Sequence, residues 1–122
     1  MDDTMQQLLT AVLQNNLTLV RNLINSHKLD VNTPYADQDN KPVLHAAAAH
    51  GHLDMVKLLV EEYHANVNNE SLGGEVAMHD AAENNHVHVV RYLADNGSHY
   101  VDDVEDMLLP SQLKNGWQLS FQ

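Results

Sequence analysis

One pattern returns at a nearly fixed interval along this chain, and few folds tolerate it. His45 returns as His79, Leu53 as Val87, Val56 as Val90 and Leu59 as Leu93, each 34 positions later. Going backward, Leu17, Val20, Leu23 and Ile24 repeat Leu53, Val56, Leu59 and Val60 at an interval of 36, with a longer connection through residues 33–39 absorbing the difference. The middle copy shows what is repeated. A short run, Ala46-Ala47-Ala48-Ala49, is followed by a His50-Gly51-His52 break and then by Leu53, Val56, Leu59 and Val60. That spacing gathers the apolar side chains on one stripe of a helix, while Asp54, Lys57, Glu61 and Glu62 face water. The alanines let the first helix lie close against a neighbour. Two short helices and a turn, repeated three times with a period in the thirties, predict an all-α helical solenoid.

At these residues the chain resembles the ankyrin repeat. Val43-Leu44-His45-Ala46-Ala47, Gly51-His52-Leu53-Asp54-Met55-Val56-Lys57-Leu58-Leu59 and Ala65-Asn66-Val67-Asn68 are similar to the family's Thr-Pro-Leu-His, Gly-His, Val-Val-x-Leu-Leu and Gly-Ala-Asp-Val-Asn segments. The third copy, Ala77-Met78-His79-Asp80-Ala81-Ala82 through Leu93 and Asn96-Gly97, follows the same plan. The resemblance covers residues 5–101. It implies β-hairpin-like finger loops between the helix pairs, and it says almost nothing about the partner, because one fold serves many targets.

The domain is expected at residues 1–101, with repeats near 5–36, 37–70 and 71–101, followed by an acidic linker and a C-terminal capping tail over 102–122. In the first copy Met5, Leu8, Leu9, Val12 and Leu13 make an amphipathic stripe, and Gln6, Gln7, Thr10 and Gln14 read as the wet face of a terminal, capping repeat. Helices are expected at 5–14, 17–26, 77–84 and 87–95. Pro42-Val43 stands where the family has Thr-Pro, a displacement that predicts a helix start shifted by one residue. Asn40 and Asn85 replace glycines, an exchange a left-handed backbone tolerates. Lys28 and His64 stand where Gly would stop a helix, so the first two helix ends are expected to be looser than the third at Gly97. In the tail, Leu109-Pro110-Ser111-Gln112 falls where a fourth repeat would begin. Alternatively, Asn115-Gly116 turns a hairpin whose Trp117, Leu119 and Phe121 cover the third repeat. The tail reads as the beginning of a further unit as much as an end.

Composition removes whole classes of function. The 122 residues carry 17 acidic and 6 basic side chains, a formal charge of −11. Clustered Lys and Arg are what bind phosphate backbones, so nucleic acid and anionic membrane are disfavoured, and a basic or mixed-charge protein partner is favoured. The alternative is that the surplus acid simply keeps an apolar, modular surface in solution. There is no cysteine, hence no disulfide, thiolate nucleophile or Cys-type zinc site. No apolar run spans a bilayer, and the acidic start lacks the pattern of a signal peptide. A cytoplasmic or nuclear setting is expected, or a host cytosol for a delivered effector, with the chain monomeric by itself.

Nine histidines invite a metal or pH-sensing role, with His50-x-His52 and His86-x-His88 beside Asp54 or Glu83 as conceivable ligands. The resemblance accounts for four of them structurally: His45 and His79 match the family's turn histidine, which bonds neighbouring backbone, and His52 and His86 match its inter-helix position. No metal or other cofactor is expected. Gly-rich phosphate loops, nucleophile elbows and triads are lacking, so no catalysis is expected. What the resemblance implies is a concave binding face built from fingers and first helices. In this sequence that means Leu13 and Gln14 in the first copy, Gln38, Asp39, Lys41, Ala49 and His50 in the second, and Leu72, Gly73, Glu75, Glu83 and Asn84 in the third. The expected function is a protein-interaction module presenting an acidic groove. A stoichiometric inhibitor or assembly factor of an enzyme or transcription complex, and a histidine-based sensor, are the alternatives.

Overall fold

A computed structural model of the chain describes residues 3–35 and 40–98. Among them lie six helices in three antiparallel pairs: α1 (Asp3–Leu13) with α2 (Leu17–His27), α3 (Val43–Ala49) with α4 (Leu53–Glu61), and α5 (Ala77–Glu83) with α6 (Val87–Asp95). The first helices form an inner layer in which α1 packs on α3 and α3 on α5. The second helices touch one another more sparsely behind it. Close approach in the inner layer depends on small side chains: Ala11, Ala47, Ala48, Ala81 and Ala82 are completely buried. The second helices contribute the larger residues, with Val20, Met55, Val56, Leu59, Val90 and Leu93 closing the core. No described helix is long and apolar enough to cross a membrane.

Each repeat turns twice through backbone that most residues avoid. The mid-repeat turns use Asn15, Gly51 and Asn85 at φ of 55°, 70° and 61°. The second helices close at Lys28, His64 and Gly97, with φ of 50°, 58° and 100°. All three ends are sealed in the same way, by Leu29 N–H to the Ile24 carbonyl, Ala65 N–H to Leu59 and Ser98 N–H to Leu93. The looser first and second ends expected from Lys28 and His64 are therefore not found. Those residues accept a left-handed conformation at about 1 kcal/mol each, offset by the backbone bonds it permits.

The displaced proline does not shift the helix start. Val43 and Ala77 begin α3 and α5 at equivalent positions, and Pro42 (φ −66°, ψ 168°) is as extended as its counterpart Val76 (φ −100°, ψ 169°). The cost appears elsewhere. In the third repeat the Val76 N–H donates to His79 Nδ1 at 3.0 Å. Proline has no N–H to give. The Nδ1 of His45 is accordingly buried without a hydrogen-bond partner.

Histidines and asparagines stitch the repeats together. His52 Nε2 donates to the Leu13 carbonyl and His86 Nε2 to the Ala49 carbonyl, both at 3.0 Å, so each closes the end of the first helix in the preceding repeat. Because a carbonyl only accepts, these bonds fix the Nε2–H tautomer. Asn32 Nδ2 donates to the His64 carbonyl (3.3 Å) and Asn68 Nδ2 to the Gly97 carbonyl (3.1 Å), each reaching the left-handed residue of the next repeat. The first finger is held by an antiparallel bridge between Tyr35 and Lys41, and the Tyr35 hydroxyl donates to the Met5 carbonyl at 2.7 Å. The second finger is a tight turn in which Ser71 N–H donates to the Glu75 carbonyl at 2.8 Å. At the N-terminal end Gln7 stands where Val43 and Ala77 are buried, as suits a capping repeat, although Leu19 keeps 38% exposure at the position of buried Met55 and Val89. The tail motifs at Leu109–Gln112 and Asn115-Gly116 lie outside the described residues, as do Gln38 and Asp39.

Gly51 is the turn residue with no substitute: beyond its positive φ, an added Cβ would lie 2.5 Å from His86 Nδ1, whereas at Gly97 it would meet nothing. Gly51→Ala should cost about 2–3 kcal/mol and Gly97→Ala about 1, since only the former combines backbone strain with a steric clash. Urea unfolding of the two variants beside the parent checks the order.

Candidate functional site

The inner layer leaves a groove of about 320 Å³ where α1, α3 and α5 come together. Its first wall is apolar, from Leu9 and Leu13 on α1 and Ala46 and Ala49 on α3, and its floor is Pro42 and His45. The opposite wall is acidic, from Asp80 and Glu83 on α5, with Asn84 and His50 at the rim. Of the concave residues expected from the sequence, Leu13, Lys41, Ala49, His50, Glu83 and Asn84 meet around this groove. Glu75 joins them through Lys41. Gln14 stays exposed just beyond α1, and Leu72 and Gly73 stand at the finger tip, where Leu72 is 73% exposed.

The sequence reading missed Leu9, Pro42, His45, Ala46 and Asp80. Asp80 was the most visible of them. It stands at the position of Ala46 in the second repeat and Thr10 in the first, a carboxylate in the middle of a helix whose other residues before the terminal Glu83 are Ala, Met and His. A charge at a buried position needs a partner. Asp80 finds it in the preceding repeat: Lys41 Nζ lies 3.1 Å from Asp80 and 4.0 Å from Glu75, with the Asp80 side chain 6% exposed.

Burial pushes the Asp80 carboxyl above its ordinary value, and Lys41 opposes the rise. Glu83 is also raised, by desolvation and by a hydrogen bond and repulsion from Glu75. His45 is pushed down, chiefly by burial, and its Nε2 donates to the Glu75 carbonyl at 3.1 Å. The acidic wall therefore carries more carboxylates than Lys41 can neutralise. Glu75, Asp80 and Glu83 bring one carboxylate oxygen each within 4.8 Å of one another, oxygen donors of the type hard cations take. The Lys41 ammonium already stands among them as the balancing charge.

A family model describing ankyrin repeats, three copies, matches residues 8–103. The chain belongs to the ankyrin-repeat family. This ankyrin chain is 38% identical over 65 residues to the mitochondrial liver isoform of glutaminase from Rattus norvegicus, a match covering 53% of the chain and 11% of that protein. It is 46% identical over 55 residues to alpha-latrotoxin-Lh1a of Latrodectus hasselti, covering 45% of the chain and 4% of the toxin. Among solved structures it is similar to a chain in the complex of a predatory endopeptidase from Bdellovibrio bacteriovorus with an immunity protein. That match has a TM-score of 0.68 and 32% identity, covering 75% of this chain and 46% of the other. The chain thus spans about a tenth or less of the curated relatives and under half of the solved neighbour. Ankyrin repeats are protein–protein interaction modules, and the groove lies on the concave face such modules leave uncovered.

Removing Lys41 should expose the dependence of the second and third repeats on this ion pair. Lys41→Met leaves Asp80 buried beside Glu75 without a cation and should cost about 2–3 kcal/mol, most of it recovered in the Lys41→Met/Asp80→Asn double variant. Asp80 already has a raised folded-state pKa, and losing Lys41 raises it further. A raised group contributes stability below its unfolded value and loses it as pH rises through the folded value. The Lys41→Met deficit should therefore be smaller at pH 5 than at pH 7.5, as urea unfolding at the two values would read.

Proposed function

We propose that this ankyrin chain is a non-catalytic binding module that holds a protein partner of basic or mixed charge in the groove between α1, α3 and α5. The observation that carries the reading is the groove's division into an apolar wall at Leu9 and Leu13 and an acidic wall at Glu75, Asp80 and Glu83. Such a surface offers area to bury and a field that steers a cationic partner. Exposed Leu72 on the neighbouring finger, with Gly73 beside it, extends the contact beyond the groove, as does exposed Gln14. The seams of histidine and asparagine bonds keep the surface preorganised, so little ordering entropy is lost on binding. The chain works as a monomer, in the cytoplasm or nucleus or after delivery into a host cytosol.

A second reading is favoured by one observation. The solved neighbour comes from a complex of an endopeptidase with an immunity protein, so a stoichiometric inhibitor of an enzyme is the form of binding module that likeness supports.

Affinity capture from a lysate, comparing the parent chain with a Leu13→Ala/His50→Ala/Glu83→Ala variant, tests the site. The expected outcome is a partner retained by the parent, weakened by salt and lost with the variant while the variant's melting stays cooperative. A partner held equally by both places the site elsewhere on the molecule. Loss of that partner's activity on equimolar mixing would select the inhibitor form.

A further inference from the structure

We infer that the groove is shaped for a single arginine side chain of the partner, its stem lying along Leu9 and Leu13 and its guanidinium bridging Glu83 and Glu75. The inference rests on the groove being the partner site and names what the partner puts there.

Charge complementarity carries the argument together with the groove's second, apolar wall. Lys41 Nζ is committed to Asp80 at 3.1 Å and is farther from Glu75, at 4.0 Å. Glu83 brings a third carboxylate, with one oxygen each from Glu75, Asp80 and Glu83 within 4.8 Å of one another. Carboxylates that close repel one another, and desolvation together with Glu75 and Asp80 raises Glu83. One ammonium against three carboxylates leaves a place for a second positive charge. The facing wall from α1 brings no charge to the groove, only Leu9 and Leu13, so a long cationic side chain meets apolar surface along its stem and carboxylates at its head.

Arginine fits this pair of surfaces better than lysine. Its planar fork reaches two oxygens at once, and its weaker hydration lets it lie against leucine at lower cost. The groups that face the guanidinium are Lys41 and Glu75 from the fingers, His45 and His50 from α3, and Asp80 and Glu83 from α5. Charging either histidine would oppose the ligand, and so would protonating Glu83, whose carboxyl desolvation and its acidic neighbours raise. Every one of these effects makes binding tighten as pH rises from 5 to 7.5.

The test is a methyl NMR titration of the whole chain with N-acetyl-arginine amide, beside the citrulline analogue, which keeps the shape without the charge, and the lysine analogue. Saturable shifts of the Leu9 and Leu13 methyls are expected, strongest with arginine and about tenfold weaker in affinity with citrulline, as loss of a charge-assisted pair implies. Glu83→Gln, at an exposed position, should weaken the arginine response similarly while leaving the fold's spectrum intact. Equal responses to arginine and citrulline, a full response in Glu83→Gln, or no saturable shift would overturn the inference. A partner captured through the groove by a chain that ignores the arginine probe would sink this inference alone. A chain that binds the probe but captures no partner through the groove would sink the broader reading instead.

Discussion

Everything in this structure depends on how closely three first helices can lie against one another. Buried alanines at 11, 47, 48, 81 and 82 set that distance. At such separation a histidine placed just after one helix can reach the last carbonyl of the helix before it, as His52 does at Leu13 and His86 at Ala49. Packing and hydrogen bonding are therefore one arrangement. Larger side chains in the inner layer would push the repeats apart and leave both carbonyls and both imidazoles unpaired, each at a cost of about 1–3 kcal/mol.

The same closeness explains the groove. Thin first helices leave the concave side uncovered, and the side chains that border it come from three successive repeats. Leu9 and Leu13 belong to the first, Lys41 and His50 to the second, Asp80 and Glu83 to the third. The Lys41–Asp80 pair is both an inter-repeat tie and part of the groove's lining. Stability and electrostatic character are thus coupled: the charge that holds the second and third repeats together also sets how much negative field remains for a ligand. On the convex side the repeats are joined differently, by exposed contacts such as Arg21 with Glu62 and Tyr92 with Glu61. Exposed pairs of that kind contribute little individually.

Pro42 shows how a local departure from a family pattern is absorbed. Read along the chain, a proline one position early should move the helix start. In the stack, α3 keeps its register because an extended residue before the first helical turn is a place proline occupies without strain. The penalty moves to His45, whose Nδ1 has no donor to meet. That outcome needed the comparison of two repeats, since only His79 with its Val76 N–H shows which bond is lacking in the second.

The sequence by itself determined the repeat, the all-α solenoid and the turn positions, because these follow from local periodicity and from residues able to hold a positive φ. It also pointed to Leu13, Lys41, Ala49, His50, Glu83 and Asn84 through the family pattern. Only the tertiary structure decided that Leu9, His45, Ala46 and Asp80 share the groove with them, because those residues lie on the buried or facing sides of helices from different repeats. The pairing of Lys41 with Asp80, 39 positions apart, likewise arises between repeats. No local pattern carries such information, since it depends on the distance at which the helices stack.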